Sequence, residues 1–343
     1  MSQKHSIIIV KSFITKLYKL TGRDKGMEKF LVDRIDRTVD NYRLAKEYLK
    51  NDGDILNHFA SLVFSHYEKE IPIDRIKEIR KEIKAATPRM SPFRGDILYI
   101  ISLLIATTDK EIQQEIIENM FSAMEKLEEN GFRPCSHLVL TAYVIGRYGS
   151  ARKQDEIVYK LKESYILLKE KYNNITNEDD YLLCALWSIN NIEVKVVNDF
   201  IENVYDHVAD YNVRTKNGVQ GLSNAIILNG SSGQMYRNME FLLQLQKRDI
   251  KIANQFLPLV GVLSNTNPRR TVNLVEGVIE DLCDKEAEYE FYLDKGFRTI
   301  IAVVIVSFCT ISDKRRYIDE LLAHGVISFI NSKNKGIFEE ALS

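Results

Sequence analysis

Hydrophobic positions along the chain fall into two alternating kinds of segment. One is short and almost wholly apolar: Ile97 to Ala106 reads ILYIISLLIA, with only the Ser102 and Tyr99 hydroxyls for polarity. The other is longer and one-sided. Ile112, Ile116, Met120, Met124 and Leu127 recur at helical spacing with Glu, Gln and Lys between them, the pattern of a helix with one face in a core and one in water. The apolar run is about half the ~18–20 residues needed to cross a bilayer, so it reads as a buried helix rather than a span.

Similar apolar stretches surround Ala60 (ILNHFASLVF), Ala142 (LVLTAYVIG), Ala185 (YLLCALWSI), Ala225 (GLSNAIILN), Gly261 (FLPLVGVLSN) and Ala302 (FRTIIAVVIV). Together with Ser102, the small residues at 60, 102, 142, 185, 225, 261 and 302 are separated by 42, 40, 43, 40, 36 and 41 positions. A small residue at a constant place in a repeated helix lets a neighbouring backbone approach closely, as in stacked helical repeats.

The pattern predicts an all-α fold, an array of about seven helical hairpins, each a short buried helix A followed by a longer, outward-facing helix B. Local signals place the ends. Thr108-x-x-Glu111 reads as a capping box, Asn130-Gly131 as a helix stop and Asn267-Pro268 as the start of a B helix. Ser312 precedes a last B helix, DKRRYIDELLAHG, closed by Gly325. The period fits HEAT-like or armadillo-like spacing, without their consensus residues, better than the ~34 of tetratricopeptide repeats. An open α-solenoid and a closed α/α toroid both satisfy it.

The expected organisation is a basic amphipathic segment at 1–26 and a single helical-repeat domain at 27–343. Residues 1–25 carry six Lys/Arg against one Asp, and Val10, Phe13, Ile14, Leu17 and Tyr18 fall at helical spacing. This predicts a terminal helix covering the end of the core, with a membrane-surface helix as the weaker alternative. Met27 is an alternative start, since regular patterning resumes after it.

Three short motifs carry a family resemblance: Ser91-Pro92-Phe93-Arg94-Gly95 before an apolar helix, Glu129-Asn130-Gly131-Phe132 before the next, and Asn177-Glu178-Asp179-Asp180-Tyr181 opening a third. Over roughly residues 28–310 the chain resembles a family of bacterial proteins catalogued as domain of unknown function 4003. The resemblance implies a helical bacterial protein and brings no activity, substrate or catalytic residues with it.

Composition narrows the function classes. Six prolines and 16 glycines in 343 residues suit a helical chain. Forty-seven basic residues against 48 acidic ones create no global field for nucleic acid, so no nucleic-acid partner is expected. Four cysteines without CxxC spacing read as reduced thiols in a cytoplasmic protein. No secretory signal or transmembrane segment is expected.

Candidate chemistry is sparse. Arg94-Gly95-Asp96 matches an integrin-recognition string, but it reads better as a helix start. Asp96 then sits at the positive helix end, Gly95 allows a tight approach and Arg94 pairs with a carboxylate. Glu178-Asp179-Asp180 offers carboxylates for acid/base or metal chemistry, and equally for helix capping. Cys135 and His137 lack a second pair at zinc spacing, so no metal or cofactor is expected. His58 reads as a core residue. Asn265, Asn267, Arg269 and Arg270 form a polar turn, which the cap before Pro268 already explains.

Asp96, His137, Asp180, Gln220 or Asn224, and Gln255 all stand near the starts of successive A helices. In such an array these starts line one edge or one mouth. The expected ligand-binding residues are Arg94, Asp96, His137, Asp179, Asp180 and Asn224. The expected function is a non-catalytic binding or scaffold module for a peptide or protein partner. The alternative is an α/α-toroid enzyme acting on a small or carbohydrate ligand, with rim carboxylates as acid and base.

Overall fold

A computed structural model describes residues 25–209, 215–230, 232–263, 267–310 and 317–334. The segment 1–24 and Ser312 lie outside the described residues. The described residues are all-α, with no strand among them.

Seven pairs of helices follow one another. They are α1 (Lys25–Tyr48) with α2 (Asp54–His66), α3 (Ile73–Ala86) with α4 (Asp96–Ala106), α5 (Lys110–Glu129) with α6 (Ser136–Tyr148), and α7 (Gln154–Tyr172) with α8 (Tyr181–Ile189). Then come α9 (Val194–Ala209) with α10 (Lys216–Asn229), α11 (Ser232–Gln246) with α12 (Leu257–Leu263), and α13 (Pro268–Lys285) with α14 (Lys295–Thr310). A further helix, α15, covers Ile318–Asn334.

The even-numbered helices of the pairs are the apolar ones, and each carries one of the seven small residues, all buried. The odd-numbered helices bury one face. In α5 that face is Ile116, Ile117, Met120, Ala123, Met124 and Leu127. Each inner helix packs more extensively on the outer helix before it than on the one after it, so the hairpin unit is B–A rather than the expected A–B, and α10 and α12 also pack closely on each other. At one such crossing a Cβ added to Gly146 of α6 would lie 2.6 Å from the Met120 backbone nitrogen of α5. Two of the small residues meet directly: a Cβ on Gly261 would lie 2.6 Å from that of Ala225.

The two ends of the series touch. Helix α1 packs against α13 and α14, and α2 packs against α14. Across this seam Arg43 pairs with Glu286 at 2.9 Å and Lys46 with Glu288 at 2.8 Å, and Lys285 pairs with Asp36.

The expected last B helix takes another place. Gly325 does not end it; α15 runs on to Asn334, and Gly325 sits mid-helix against the Phe256 ring. Helix α15 packs on α2, α4, α6, α12 and the 3-10 turn Asn254–Phe256 rather than on the outside. Its polar residues find partners there, which is why a charged sequence can be interior. Asp319 is 2.9 Å from His66 Nδ1 and accepts the Tyr67 hydroxyl at 2.8 Å. Glu320 accepts from Arg147 at 3.1 Å and from the Tyr148 hydroxyl at 2.6 Å.

Two local expectations change. The Thr108 hydroxyl donates to the Ile105 carbonyl, closing α4, and Asp109 precedes α5 without a side-chain cap, so the capping box does not form. Nothing lies within 4 Å of a Cβ built on Gly95; glycine is required there by φ +71°, not by a close approach. Asn130-Gly131 does stop α5, with Gly131 at φ +88°, and the Asn267 side chain accepts from the Arg270 N–H with Pro268 opening α13.

Candidate functional site

Where α6, α8, α10 and α12 begin, their first turns surround a cavity of about 700 Å³ whose further wall is α15. Each first turn is shaped by a local cap. Cys135 Sγ accepts from the Leu138 N–H at 3.4 Å, and Thr215 Oγ1 accepts from the Gly218 N–H at 3.1 Å. Before α8, the 3-10 turn Glu178–Asp180 makes a reciprocal cap: Asn177 Oδ1 accepts from the Asp179 N–H at 2.9 Å, and Asp180 Oδ2 accepts from the Asn177 N–H at 3.1 Å.

Asp179 ties three elements together. Its carboxylate lies 2.7 Å from His137 Nε2 of α6, and its backbone carbonyl lies 2.8 Å from His324 Nε2 of α15. A carbonyl only accepts, so His324 carries its proton on Nε2. Burial pushes His324 down to about 4, helped by the neighbouring His137, whose ring centroid is 5.1 Å away. His137 Nδ1 and His324 Nδ1 are buried with no hydrogen-bond partner among the described residues.

Asp180 is 6% exposed, and burial pushes its carboxyl up to about 7. Its other oxygen accepts from Asn224 Nδ2 at 3.1 Å. Gln220 Nε2 donates to Thr176 Oγ1 at 2.8 Å, leaving Gln220 Oε1 without a partner, and Asn254 Oδ1 is in the same position. Arg133 pairs with Glu178 at 3.2 Å on the rim. Burial raises the Cys135 thiol, so it is held as the neutral, unreactive form.

Of the sequence-expected residues, His137, Asp179 and Asp180 line this cavity, as do Gln220 and Gln255. Asn224 stands behind it, bonded to Asp180. Arg94 and Asp96 lie elsewhere. The Arg94 guanidinium closes the end of α3, donating to the carbonyls of Lys84 and Thr87 at 3.1 and 2.6 Å. Asp96 is an exposed first residue of α4. Sequence reasoning missed His324, Ser328, Asn331 and Ser332 of α15 and Asn254, all in the cavity wall. Their only signal was polarity within apolar helices.

Among the described residues no phenylalanine, tyrosine or tryptophan lines the cavity. Among the described residues no group of three or more His, Cys, Asp or Glu is placed to hold a metal ion. No helix among them is long and apolar enough to cross a membrane.

Fold and site define an all-helical protein of paired helices with a polar cavity at the starts of four inner helices. Residues 41–335 match the family described as Protein of unknown function (DUF4003), and the chain belongs to that family. The match begins later than the sequence motifs implied and takes in α15, the central helix. No curated protein and no solved structure matches the chain.

Proposed function

We propose that this protein binds a small polar ligand in the cavity at the helix starts, without catalysis. The observation that carries this reading is a cavity of about 700 Å³ whose walls hold buried polar atoms that no described residue satisfies. Unpaired buried acceptors are costly in a native structure, and a ligand or ordered water that completes them removes the cost. The volume falls in the range of ordinary small-molecule sites.

Contacts of α1 with α13 and α14 favour a closed α/α ring over an open solenoid. A ring offers a mouth in place of the long concave face that a peptide or protein scaffold would use. The ligand class therefore moves from peptide to small molecule. Among the described residues the wall carries no Phe, Tyr or Trp ring, which disfavours a stacked sugar. Free thiols at Cys135, Cys184 and Cys283 support a reducing, cytoplasmic location.

Catalysis is the second reading, favoured by one observation: a carboxyl at Asp180 raised to about 7 is placed to exchange protons near neutrality. Against it, each cavity histidine has one nitrogen engaged and the other buried. Thermal-shift screening of a small-molecule library against the full chain and Gln220→Leu tests the proposal. Compounds should stabilise the parent and not the variant. Hits indifferent to Gln220→Leu, or turnover lost in Asp180→Asn, would remove it.

A further inference from the structure

Three buried atoms of the cavity wall, besides His137 Nδ1, are unpaired acceptors. His324 Nδ1, Gln220 Oε1 and Asn254 Oδ1 belong to lining residues, and each is a buried atom without a partner among the described residues. His324 is an acceptor at Nδ1 because its Nε2–H is committed to the Asp179 carbonyl. The Gln220 amide is fixed in the same sense. Its Nε2 donates to Thr176 Oγ1, whose own proton goes to the Leu168 carbonyl at 3.1 Å. Gln220 is 2% exposed and Asn254 6%. The walls are short of donors.

Charge points the same way. Among the described residues the lining holds three consecutive carboxylates, Glu178, Asp179 and Asp180, against Arg133 and no lysine. Arg133 pairs with Glu178, and His137 Nε2 lies 2.7 Å from the Asp179 carboxylate. Asp180 is bonded only by neutral donors, the Asn177 backbone N–H and the Asn224 amide. A carboxylate has about four acceptor sites, so two bonds leave it room for more. Its carboxyl is raised chiefly by burial, which the Asn177 N–H, the charge of Lys169 and the Asn224 amide offset only in part. An ammonium group in the cavity would supply both a positive charge for Asp180 and N–H donors for the unpaired acceptors. A neutral polyol would supply only the donors, and an anion neither.

We propose that the ligand is a small organic cation, an alkyl amine or polyamine, with its ammonium group beside Asp180 and its remaining N–H groups toward Gln220 and Asn254. This rests on the cavity being a ligand site and names the ligand's chemistry.

The test is titration calorimetry on the full chain with putrescine and spermidine, alongside erythritol, inorganic phosphate and magnesium chloride. One amine should bind, with affinity falling about ten- to a hundredfold in both Asp180→Asn and Gln220→Leu. Circular dichroism confirms that both variants are folded, and Asp155→Asn on the outer surface serves as the control with unchanged affinity. Amine binding unaffected by Asp180→Asn overturns the proposal. So does tighter binding of erythritol, phosphate or magnesium; if that binding is lost in Gln220→Leu, the cavity remains a ligand site with a different ligand. If neither these probes nor the broader library gives a Gln220-dependent signal, both readings fall.

Discussion

His324 Nε2 donates to the backbone carbonyl of Asp179 at 2.8 Å, across a separation of 145 residues. This one bond fixes the central helix against the capped turn before α8 and sets which nitrogen of His324 is bare. It also commits the imidazole to its neutral form, because a buried ring flanked by His137 loses more on protonation than it gains.

A pH dependence follows. Above about pH 6.5 His324 is neutral folded or unfolded, and its contribution to stability does not change with pH. As pH falls from there to about 4, the unfolded chain takes up a proton that the folded one refuses, and stability drops by about 3 kcal/mol from this group. Between pH 7.5 and 4.5 the parent should lose about 3 kcal/mol of urea-derived stability relative to His324→Gln, which keeps a donor and does not titrate.

Asp180 contributes with the opposite sign. Its folded carboxyl is raised to about 7, so the folded state holds a proton the unfolded state has released, and stability from this group declines as pH rises from about 4 to 7. Asp180→Asn removes that decline. The variant should gain on the parent across this window by up to about 4 kcal/mol in the same urea series, whatever its offset at low pH. A constant difference would show that Asp180 does not titrate there.

Glu320 and Arg147 form a buried ion pair inside the array. Burial raises the Glu320 carboxyl, while Arg147 and the Tyr148 hydroxyl favour its charge. Removing one partner strands the other, so Glu320→Leu should cost about 3–5 kcal/mol in chemical denaturation. The double variant Arg147→Met/Glu320→Leu should recover most of it.

Two glycines make a paired test of close packing. Gly146→Ala drives a methyl to 2.6 Å from the Met120 nitrogen of α5, a backbone atom that cannot step aside, and should cost about 1–3 kcal/mol. Gly277 in α13 has nothing within 4 Å of its added Cβ, so Gly277→Ala should gain about 0.5–1 kcal/mol. Thermal unfolding of the two variants should move in opposite directions.

Much of the architecture was legible because burial imposes a pattern. Small residues such as Ala225 and Gly261 recur where inner helices touch, and a period of about 40 is their imprint. What was hidden depended on partners far off in sequence. Asp319, Glu320 and His324 make the segment around them look like an outer helix; only His66, Arg147 and Asp179 make it interior. The same blindness hid half the cavity wall. His137, Asp179 and Asp180 could be singled out because a polar residue at a helix start is a local signal. Arg94 and Asp96 gave the same signal, yet they serve only the end of α3 and the start of α4.

The interior position of α15 bears on how the chain assembles. Its anchoring bonds reach back 253 residues to His66, 173 to Arg147 and 145 to Asp179. During synthesis the seven described pairs leave the ribosome before α15, and loop closure over such spans is slow. The cavity wall carrying His324 and Ser328 is complete only once α15 has packed.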